Sequence, residues 1–292
     1  MNQTHIDVML YAVGATDTGQ VRPANEDAYV IADLSAPQSM DSAHGPRFRV
    51  GNRGILLAVS DGMGGAEAGE VASALVLESL REHLDTSCRA DDILESVKCA
   101  VEAANRDVAV AAREPGQGGM GATLVAVVVH RALAHIACVG DSRVYLIREN
   151  AIHQLTKDQS YVEVLIEAGV ISREQAMTSP YRNVILQAMG KAESVRVALV
   201  RVAMRRGDVF LLCSDGLSNK VTDEEMRELV AQGPSHETVC SRLIALANER
   251  GGEDNITVAL AEVAGLDVAT VSPAESVEET IVVVDPEPPI TG

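Results

Sequence analysis

Four aspartates stand where apolar runs end, next to glycine or asparagine, and their carboxylates could bind a cation. They are Asp61, Asp141, Asp215 and Asp254. A strand end holds a side chain on a rigid scaffold, and an adjacent glycine lets the backbone approach a ligand closely. A single Asp-Gly pair is read as a turn when it stands alone. Four such positions together predict carboxylates that converge on a hard cation.

The available ligand types narrow the kind of ion. Carboxylate oxygens suit Mg²⁺ or Mn²⁺, and the sequence has no histidine cluster or Cys-x-x-Cys pair that would offer a softer ligand set. His153, near a predicted strand, and His236, near a predicted helix start, are predicted to be structural or exposed. The residue chemistry alone therefore predicts an oxygen-ligated Mg²⁺ or Mn²⁺ centre.

The charge balance excludes one class of partner. Asp and Glu outnumber Lys and Arg by 42 to 24 in 292 residues, which gives a formal net charge of −18. Nucleic acids bind basic surfaces, so no nucleic-acid partner is expected. The acidity suits a protein that gathers carboxylates around cations, and solubility is the alternative explanation.

The cysteines and the apolar segments bear on the compartment. Five cysteines lie mostly in apolar stretches, so a reducing compartment is favoured over a disulfide framework or a zinc site. The first residues lack the basic and apolar regions of a signal peptide. The most apolar stretch, 122–139, is interrupted by His130, Arg131 and His135 and is too polar to span a bilayer. We expect a cytoplasmic protein with no membrane partner.

Apolar periodicity predicts the elements that position these residues. The predicted strands are 5–15, 28–32, 55–60, 121–129, 132–139, 143–148, 152–155, 194–202, 208–213 and 256–263. The predicted helices are 66–84, 91–113, 223–231 and 236–250, with Asp91 or Asp92 as the N-cap of the second. Grouped strands and paired helices predict an α+β fold in which helix pairs cover antiparallel sheets.

Two segments are predicted to lack regular structure. Residues 35–54 are polar and contain glycine and proline, which predicts an exposed loop. Residues 265–292 are acidic, contain proline and have no Lys or Arg, which predicts a disordered tail. The folded domain is accordingly predicted to span residues 1–264.

Six motifs follow one another in the order in which a known family carries them. They are Arg22-Pro-Ala-Asn-Glu-Asp-Ala, Asp61-Gly-Met-Gly-Gly-Ala-Glu-Ala-Gly-Glu, Gly121-Ala-Thr-Leu, Val139-Gly-Asp-Ser-Arg-Val-Tyr, Ser214-Asp-Gly-Leu and Glu253-Asp-Asn-Ile-Thr. The sequence resembles the metal-dependent protein phosphatases (PPM, or type 2C) in their bacterial form. The match runs from about Ala12 to Val263 and leaves out only the tail.

This resemblance implies a fold and a metal centre. The implied fold is a β-sandwich of two antiparallel sheets flanked by helix pairs, in α-β-β-α layers, with two Mn²⁺ or Mg²⁺ ions at one end. Asp61 is implied to bridge both ions, and Asp215 and Asp254 to complete the protein ligands of one. The Gly62 carbonyl is implied to bind the other ion, which Glu26 reaches through water.

Further positions acquire roles from the same resemblance. Asp141 matches a position that helps to hold a third, weaker ion in bacterial members. Arg22 is implied to grip the substrate phosphate with its forked guanidinium, and Asp27 to orient a metal-bound water. Met63 replaces a histidine that some members use as a general acid, so the leaving group takes its proton from water or another residue. Asn219 replaces an aspartate of some members, which removes one metal contact.

The implied activity is hydrolysis of phosphoserine and phosphothreonine in proteins by water that the cations activate, opposing a bacterial Ser/Thr kinase. One alternative is a phosphatase-like module that binds a partner without turnover. Another is a phosphatase dedicated to one regulatory partner. The retained carboxylates Asp61, Asp215 and Asp254, together with Arg22, favour an enzyme over the silent module.

Two more segments are given roles by their sequence. Residues 157–190 resemble the bacterial flap, a mobile segment beside the metal site that shapes substrate access, and simple packing is the alternative explanation of their apolar residues. Thr280, flanked by acidic residues, would on phosphorylation offer a docking motif to a phosphothreonine-reading domain such as a forkhead-associated domain. A solvated tail is the alternative explanation of this segment.

Overall fold

The computed structural model describes residues 7–35, 47–87, 92–266 and 281–284. Within them the strands are β1 (Val8–Asp17), β2 (Asp27–Asp33), β3 (Arg47–Arg49), β4 (Ile55–Met63), β5 (Gly121–Ala122), β6 (Leu124–His130), β7 (Leu133–Val139), β8 (Arg143–Arg148), β9 (Ala151–Gln154), β10 (Ala198–Ala203), β11 (Val209–Cys213), β12 (Ile256–Leu266) and β13 (Ile281–Val284). The helices are α1 (Ala66–Ser87), α2 (Ile93–Ala111), α3 (Tyr161–Glu167), α4 (Arg173–Met177), α5 (Asp215–Ser218), α6 (Asp223–Gln232) and α7 (His236–Glu249).

The strands pair antiparallel in two sheets. The first sheet has the order β3-β1-β12-β11-β8-β9, and the second has the order β13-β10-β7-β6-β4-β2. The short strand β5 pairs with the end of β4, where Gly62 lies opposite Ala122. The N-terminal strand β1 pairs along its whole length with β12, so the first and last long strands of the domain lie side by side.

Three apolar cores separate four layers. The central core lies between the sheets and includes Leu57, Val127, Leu146 and Ala259. A second core joins the other face of the β4-containing sheet to α1 and α2. A third core joins the outer face of the β11-containing sheet to α5, α6 and α7. This arrangement confirms the predicted α+β sandwich with α-β-β-α layers.

Burial on both faces explains why the central strands read as unbroken apolar runs. Every residue of β6 is buried, because one face meets the opposite sheet and the other meets the α1–α2 pair. With two Phe and no Trp in the chain, aliphatic side chains fill these cores. Each large aliphatic side chain that becomes fully buried stabilises the fold by about 1.5–3 kcal/mol.

Side-chain hydrogen bonds to the backbone cap the first turns of α2 and α6. Asp92, one of the two predicted N-caps, accepts hydrogen bonds from the backbone of Leu94 and Glu95 at the start of α2. At the start of α6, Thr222 and Glu225 form a capping box in which each side chain accepts from the backbone of the other. Such caps satisfy N–H groups that have no partner within the helix.

The structure differs from the sequence predictions at three places. The predicted loop 35–54 contains β3, which forms the edge of the first sheet and pairs with β1 through Phe48 opposite Leu10. The predicted strand 121–129 is divided into β5 and β6 at Thr123. The predicted tail 265–292 contains the end of β12 and the strand β13, because the edge of β10 offers unpaired backbone groups to Ile281–Val284. Thr280 lies outside the described residues.

The segment predicted as a flap contains α3 and α4. Val162 of α3 is buried, whereas Val164 of the same helix is 48% exposed. Ser160 caps α3, and Ser172 caps α4 through a capping box. Among the described residues, none of the helices is long and apolar enough to cross a membrane.

The tail strand is predicted to keep the β10 edge from pairing with other chains. Truncation after Leu266 would expose the backbone N–H and C=O groups of β10, and such an edge is a template for association. Light scattering across a concentration series is expected to show stronger self-association of this variant. The matched control is truncation after Val284, which retains β13 and should behave like the full chain. Equal association of both truncated proteins would contradict a protective role for β13.

Candidate metal centre

A cavity of about 280 Å³ opens at one end of the sandwich, where strands of both sheets finish. Seven of the eight residues singled out by the sequence line it: Arg22, Glu26, Asp61, Gly62, Asp141, Asp215 and Asp254. The eighth, Asp27, is 8% exposed and is not among the lining residues. The structure therefore gathers motifs that are far apart in the chain around one cavity.

Strand ends and turns place the carboxylates. Asp61 lies near the end of β4, directly opposite Asp27 of β2. Asp215 begins α5 immediately after β11, and Asp254 precedes β12. Asp141 lies in the connection between β7 and β8. Because each side chain leaves a paired strand or its immediate end, the sheets hold the four elements in fixed relation.

Thr123 locks the end of β4 in place. Its Oγ1 accepts from the Asp61 amide at 3.0 Å, and its amide donates to the Asp61 carbonyl at 2.8 Å. Its carbonyl accepts from the Ser60 hydroxyl at 2.7 Å. The Thr123 hydroxyl also lies 2.7 Å from that of Ser142, the neighbour of Asp141. This buried residue therefore links the Asp61 strand to the Asp141 turn.

Asn255 holds the segment that carries Arg22 and Glu26. Its amide nitrogen donates to the carbonyls of Thr18 and Ala24, each at 2.9 Å. Its side-chain oxygen accepts from the Glu26 amide at 2.8 Å. Asn255 is buried, and these three bonds satisfy backbone groups of the β1–β2 connection. The connection is thereby fixed against the start of β12, next to Asp254.

Close packing explains the glycine beside Asp61. A Cβ atom on Gly62 would lie 2.0 Å from the Gly69 carbonyl oxygen and 2.6 Å from that of Glu26. A Cβ atom on Gly69 would in turn lie 1.8 Å from the Glu26 carboxylate. Only glycine fits at position 62, since the two close atoms belong to the backbone, whereas a side chain at position 69 would displace the Glu26 carboxylate. The Glu26 carboxylate thus packs directly against the backbone of α1.

Ser214 holds the buried Asp27. The Ser214 hydroxyl donates to Asp27 Oδ2 at 2.7 Å and accepts from the Thr257 amide at 3.0 Å. Asp27 Oδ1 is buried without a hydrogen-bond partner. Enclosure in protein raises the pKa of Asp27 to about 7, although the bond from Ser214 opposes this shift.

Desolvation and mutual repulsion raise the pKa values of the carboxylates in the cavity. The Asp61 side chain is partly accessible from the cavity, and protein surrounds the rest of it. This desolvation, together with repulsion from Asp27 and Asp215, raises the pKa of Asp61 well above its ordinary value. Desolvation and the charge of Asp215 raise the pKa of Asp141 to about 8. Desolvation and the charge of Asp254 raise the pKa of Asp215 to about 6. A cation among these groups would favour their charged forms.

The donor set fits a hard cation. Asp215 Oδ1 is buried without a hydrogen-bond partner, so an acceptor oxygen is left unsatisfied at the carboxylate cavity. The lining offers several further carboxylate oxygens, which are the ligands that Mg²⁺ and Mn²⁺ prefer. No three His, Cys, Asp or Glu side chains of the described residues stand close enough to hold an ion as they are. Binding would therefore have to draw the carboxylates together.

Arg22 and Asn219 contact two of these carboxylates. Arg22 Nη2 lies 2.8 Å from Asp254 Oδ2, and its side chain is 47% exposed at the cavity. The hydrogen bond to Asp254 raises the pKa of Arg22, so the guanidinium stays charged. Asn219 donates to Asp215 Oδ2 at 3.1 Å. The residue that replaces an aspartate of some relatives thus orients a neighbouring carboxylate.

Several residues of the site had no predicted role. Thr123, Ser214 and Asn255 lie within the quoted motifs, but their types and spacing do not reveal which backbone groups they bond. Asn183 and Ile185 also line the cavity and come from the segment predicted as a flap. His153 and His236 are not among the residues that line the cavity.

Comparisons with known proteins place this site in a family. A sequence profile of the protein phosphatase 2C family matches residues 38–261. The serine/threonine protein phosphatase PstP of Mycobacterium tuberculosis is 38% identical over 269 residues, which cover 92% of this chain and 48% of that protein. The chain thus spans about half the length of this mycobacterial relative. The serine/threonine phosphatase stp of Listeria monocytogenes is 35% identical over 87% of this chain and 96% of its own.

Solved structures show the same similarity. The catalytic domain of PstP in complex with two manganese ions superposes with a TM-score of 0.73 at 36% identity, covering 88% of this chain and all of that chain. The phosphatase Stp1 from Staphylococcus aureus superposes with a TM-score of 0.77 at 33% identity, covering 88% of this chain and 96% of that chain.

The raised carboxylate pKa values predict how stability depends on pH in the absence of metal. Asp27 and Asp141, with pKa values of about 7 and about 8, keep protons in the folded state that the unfolded chain has already released. The folded state therefore binds more protons, and the free energy of unfolding falls as the pH rises through these values. Calorimetry of the EDTA-treated protein from about pH 6.5 to about pH 8.5 should show a falling Tm.

Buried histidines oppose this trend only in the lower part of the window. Burial lowers the pKa of His135 to about 4, so folded His135 is neutral throughout. A histidine of the unfolded chain, with a pKa of about 6.5, is half protonated at about pH 6.5 and largely neutral above about pH 7.5. The Tm of Asp141→Asn, which lacks one of the titrating groups, should fall less steeply with pH than the Tm of the wild type. Added Mn²⁺ should also make the Tm of the wild type less dependent on pH, since cations bind the deprotonated carboxylates. A Tm of the EDTA-treated wild type that rises across the window would contradict the assignment.

Proposed function

Because the chain belongs to the protein phosphatase 2C family, we propose that it hydrolyses phosphoserine and phosphothreonine in proteins at this carboxylate cavity. Members of this family are metal-dependent hydrolases. The observation that carries the proposal is the meeting of Asp61, Asp215, Asp254 and Arg22 at one cavity. A cation site beside a guanidinium suits metal-assisted phosphate-ester hydrolysis, since cations activate water and both groups neutralise charge on the phosphoryl oxygens.

The cavity residues divide into those that would hold cations and those that would hold substrate. Asp61, Asp215 and Asp254 would be the main ligands, and the Gly62 carbonyl and Glu26 would serve a second ion. Bound cations supply an activated water and neutralise charge on the phosphoryl oxygens. The unsatisfied Asp215 Oδ1 and the crowded carboxylates support this division. We propose two Mn²⁺ or Mg²⁺ ions, and a third, weaker one at Asp141.

Arg22 would bind the phosphoryl group. A guanidinium has five N–H donors, so Arg22 can keep its bond to Asp254 and still direct a fork of donors at two phosphate oxygens. Its side chain is 47% exposed and lines the cavity, so a substrate phosphate could reach the guanidinium. The ion pair with Asp254 also restricts the orientations available to the guanidinium, which lowers the entropic cost of gripping the phosphate.

Asp27 would act by positioning. It lies opposite Asp61 in the β2–β4 ladder, and Ser214 fixes one of its oxygens. From there its charge acts on Asp61 and would act, through Asp61, on a water bound in the cavity. Its place outside the cavity lining favours orientation of the attacking water over direct contact with the phosphoryl group.

The alternative is a phosphatase-like module that binds without turnover. Such a module has no need to keep its metal-binding carboxylates, whereas this chain keeps Asp61, Asp215 and Asp254 and has side chains that hold them in place. The enzyme is therefore the better supported function. A cytoplasmic location, a cognate bacterial Ser/Thr kinase and a phosphothreonine-reading domain at Thr280 remain proposals made from the sequence and the family.

Hydrolysis of p-nitrophenyl phosphate and of a phosphothreonine peptide tests the function. We expect turnover of both with Mn²⁺ and none with EDTA. Loss of partners around metal ligands typically costs about 10–100-fold, so Asp61→Asn, which changes a ligand itself, should lower kcat/KM by at least about 100-fold. Asp223→Asn, at an exposed carboxylate in the first turn of α6, should match the wild type. A folded wild type with no turnover under either condition would favour the binding module.

A further inference from the structure

A second cavity lies directly beside the carboxylate cavity. It has a volume of about 300 Å³, and Met63 and Ile185 line both cavities. We call it the flanking cavity, and its other lining residues are Leu186, Gln187, Ala188, Lys191, Ala192, Ser194 and Val195. Lys191 is the only titratable side chain among them. The chemistry of the flanking cavity therefore differs sharply from that of its acidic neighbour.

Exposed apolar side chains concentrate in the segment that leads into the wall of this cavity. Of the ten large apolar side chains that stand exposed in the described residues, seven lie between positions 161 and 186. They are Tyr161, Val164, Val170, Met177, Tyr181, Val184 and Leu186. Of these seven, Leu186 lines the cavity, and it is 52% exposed. With Met63, Ile185, Ala188 and Val195 it makes the lining largely apolar, which is typical of a cavity that binds apolar groups.

Buried hydrogen bonds hold the wall of the flanking cavity in place. Asn105 of α2 is fully buried, and its side chain accepts from the Gly190 amide and donates to the carbonyls of Ala192 and Glu193. Met189 exchanges two backbone hydrogen bonds with Ala122 beside β5. These contacts fix residues 189–193 against the α1–α2 side of the sandwich. The cavity is thus built into the fold before any ligand binds, which lowers the cost of binding.

Gln159 connects the flanking cavity to the carboxylates. Its amide donates to the Gly140 carbonyl and its side-chain oxygen accepts from the Gly140 amide, each at 2.9 Å. Its carbonyl accepts from the Leu186 amide at 2.8 Å. One residue therefore joins the turn that carries Asp141 to the wall that carries Leu186. The two cavities are held at a fixed distance from each other.

We propose that the flanking cavity is a specificity subsite that takes one apolar side chain of the protein substrate, next to the phosphorylated residue. This inference rests on the proposed function. A phosphoryl group seated among the carboxylates brings neighbouring substrate residues across Met63 and Ile185, which border both cavities. The volume lies at the lower end of ligand cavities, about 300–1,000 Å³, and suits one or two side chains. The substrate class is therefore phosphoproteins with an apolar residue beside the phosphosite.

Matched phosphopeptides test the subsite. A phosphothreonine peptide is varied one position at a time, to Leu or Ala, at the two residues on either side of the phosphothreonine. An added apolar group in a hydrophobic pocket changes kcat/KM by about 10–200-fold, so the Leu peptide should exceed the Ala peptide by at least about tenfold at one of the positions. The measured quantity is this Leu-to-Ala ratio, with p-nitrophenyl phosphate hydrolysis as the measure of basal chemistry.

Two variants alter the cavity by different means. Leu186→Asp places a charge in its wall, and Ala192→Trp fills it from an exposed position at its rim. Both should bring the Leu-to-Ala ratio close to one. Val110→Asp changes an exposed valine outside the cavity and should keep the ratio of the wild type. If Leu186→Asp fails to fold by circular dichroism, Ala192→Trp decides the result.

The outcomes separate the subsite from the proposed function. If the wild type hydrolyses the Leu and Ala peptides with equal kcat/KM at every position, the subsite is contradicted and the phosphatase function is not. The same conclusion follows if Ala192→Trp keeps the wild-type Leu-to-Ala ratio of kcat/KM. No hydrolysis of either p-nitrophenyl phosphate or the peptides would overturn the proposed function and the subsite together.

Discussion

Crowding of carboxylates at one end of the sandwich is the constraint on which the site depends. Asp61, Asp141 and Asp215 line one cavity, and Asp27 lies opposite Asp61 in the β2–β4 ladder. Desolvation by the surrounding protein, together with the negative charges of their neighbours, raises the pKa values of all four. Such a cluster is costly unless protons or cations neutralise it. The fold must therefore resist the tendency of these groups to move apart. A cation that neutralises them would draw the carboxylates the remaining distance together, since no three of the described side chains stand close enough to hold an ion as they are.

The sheets and three small polar residues supply that resistance. The strands are fixed by cores on both faces, so their ends cannot move apart without opening the sandwich. Thr123, Ser214 and Asn255 then tie the strand ends and connections to one another through buried hydrogen bonds. Buried, fully bonded polar groups of this kind hold a local structure in one arrangement. The catalytic proposal thus depends on residues whose hydrogen bonds hold the carboxylates and Arg22 in place.

The sequence predicts some parts of this structure well and others poorly, for physical reasons. Long strands buried on both faces leave unbroken apolar runs, so β6, β7, β11 and β12 were predictable, and ordered motifs predicted which aspartates meet. Thr123 and Asn255 were not assignable, because their roles depend on which distant backbone groups the fold brings near them. β13 was missed because four aliphatic residues in an acidic tail become a strand only when an open edge lies within reach. The flanking cavity was missed for a similar reason, since its wall depends on Asn105 of α2 contacting residues 190–193.

Cation binding by the carboxylate cavity, through Asp215 and its neighbours, can be measured by isothermal titration of Mn²⁺ into EDTA-stripped protein at neutral pH. The titration is run in two buffers whose ionisation enthalpies differ. We expect the wild type to bind two ions and to release protons, because carboxylates with raised pKa values are partly protonated before the cation arrives. We also expect Asp215→Asn to lose at least one ion. The absence of binding by folded wild type, or unchanged binding by Asp215→Asn, would contradict a cation site at these carboxylates.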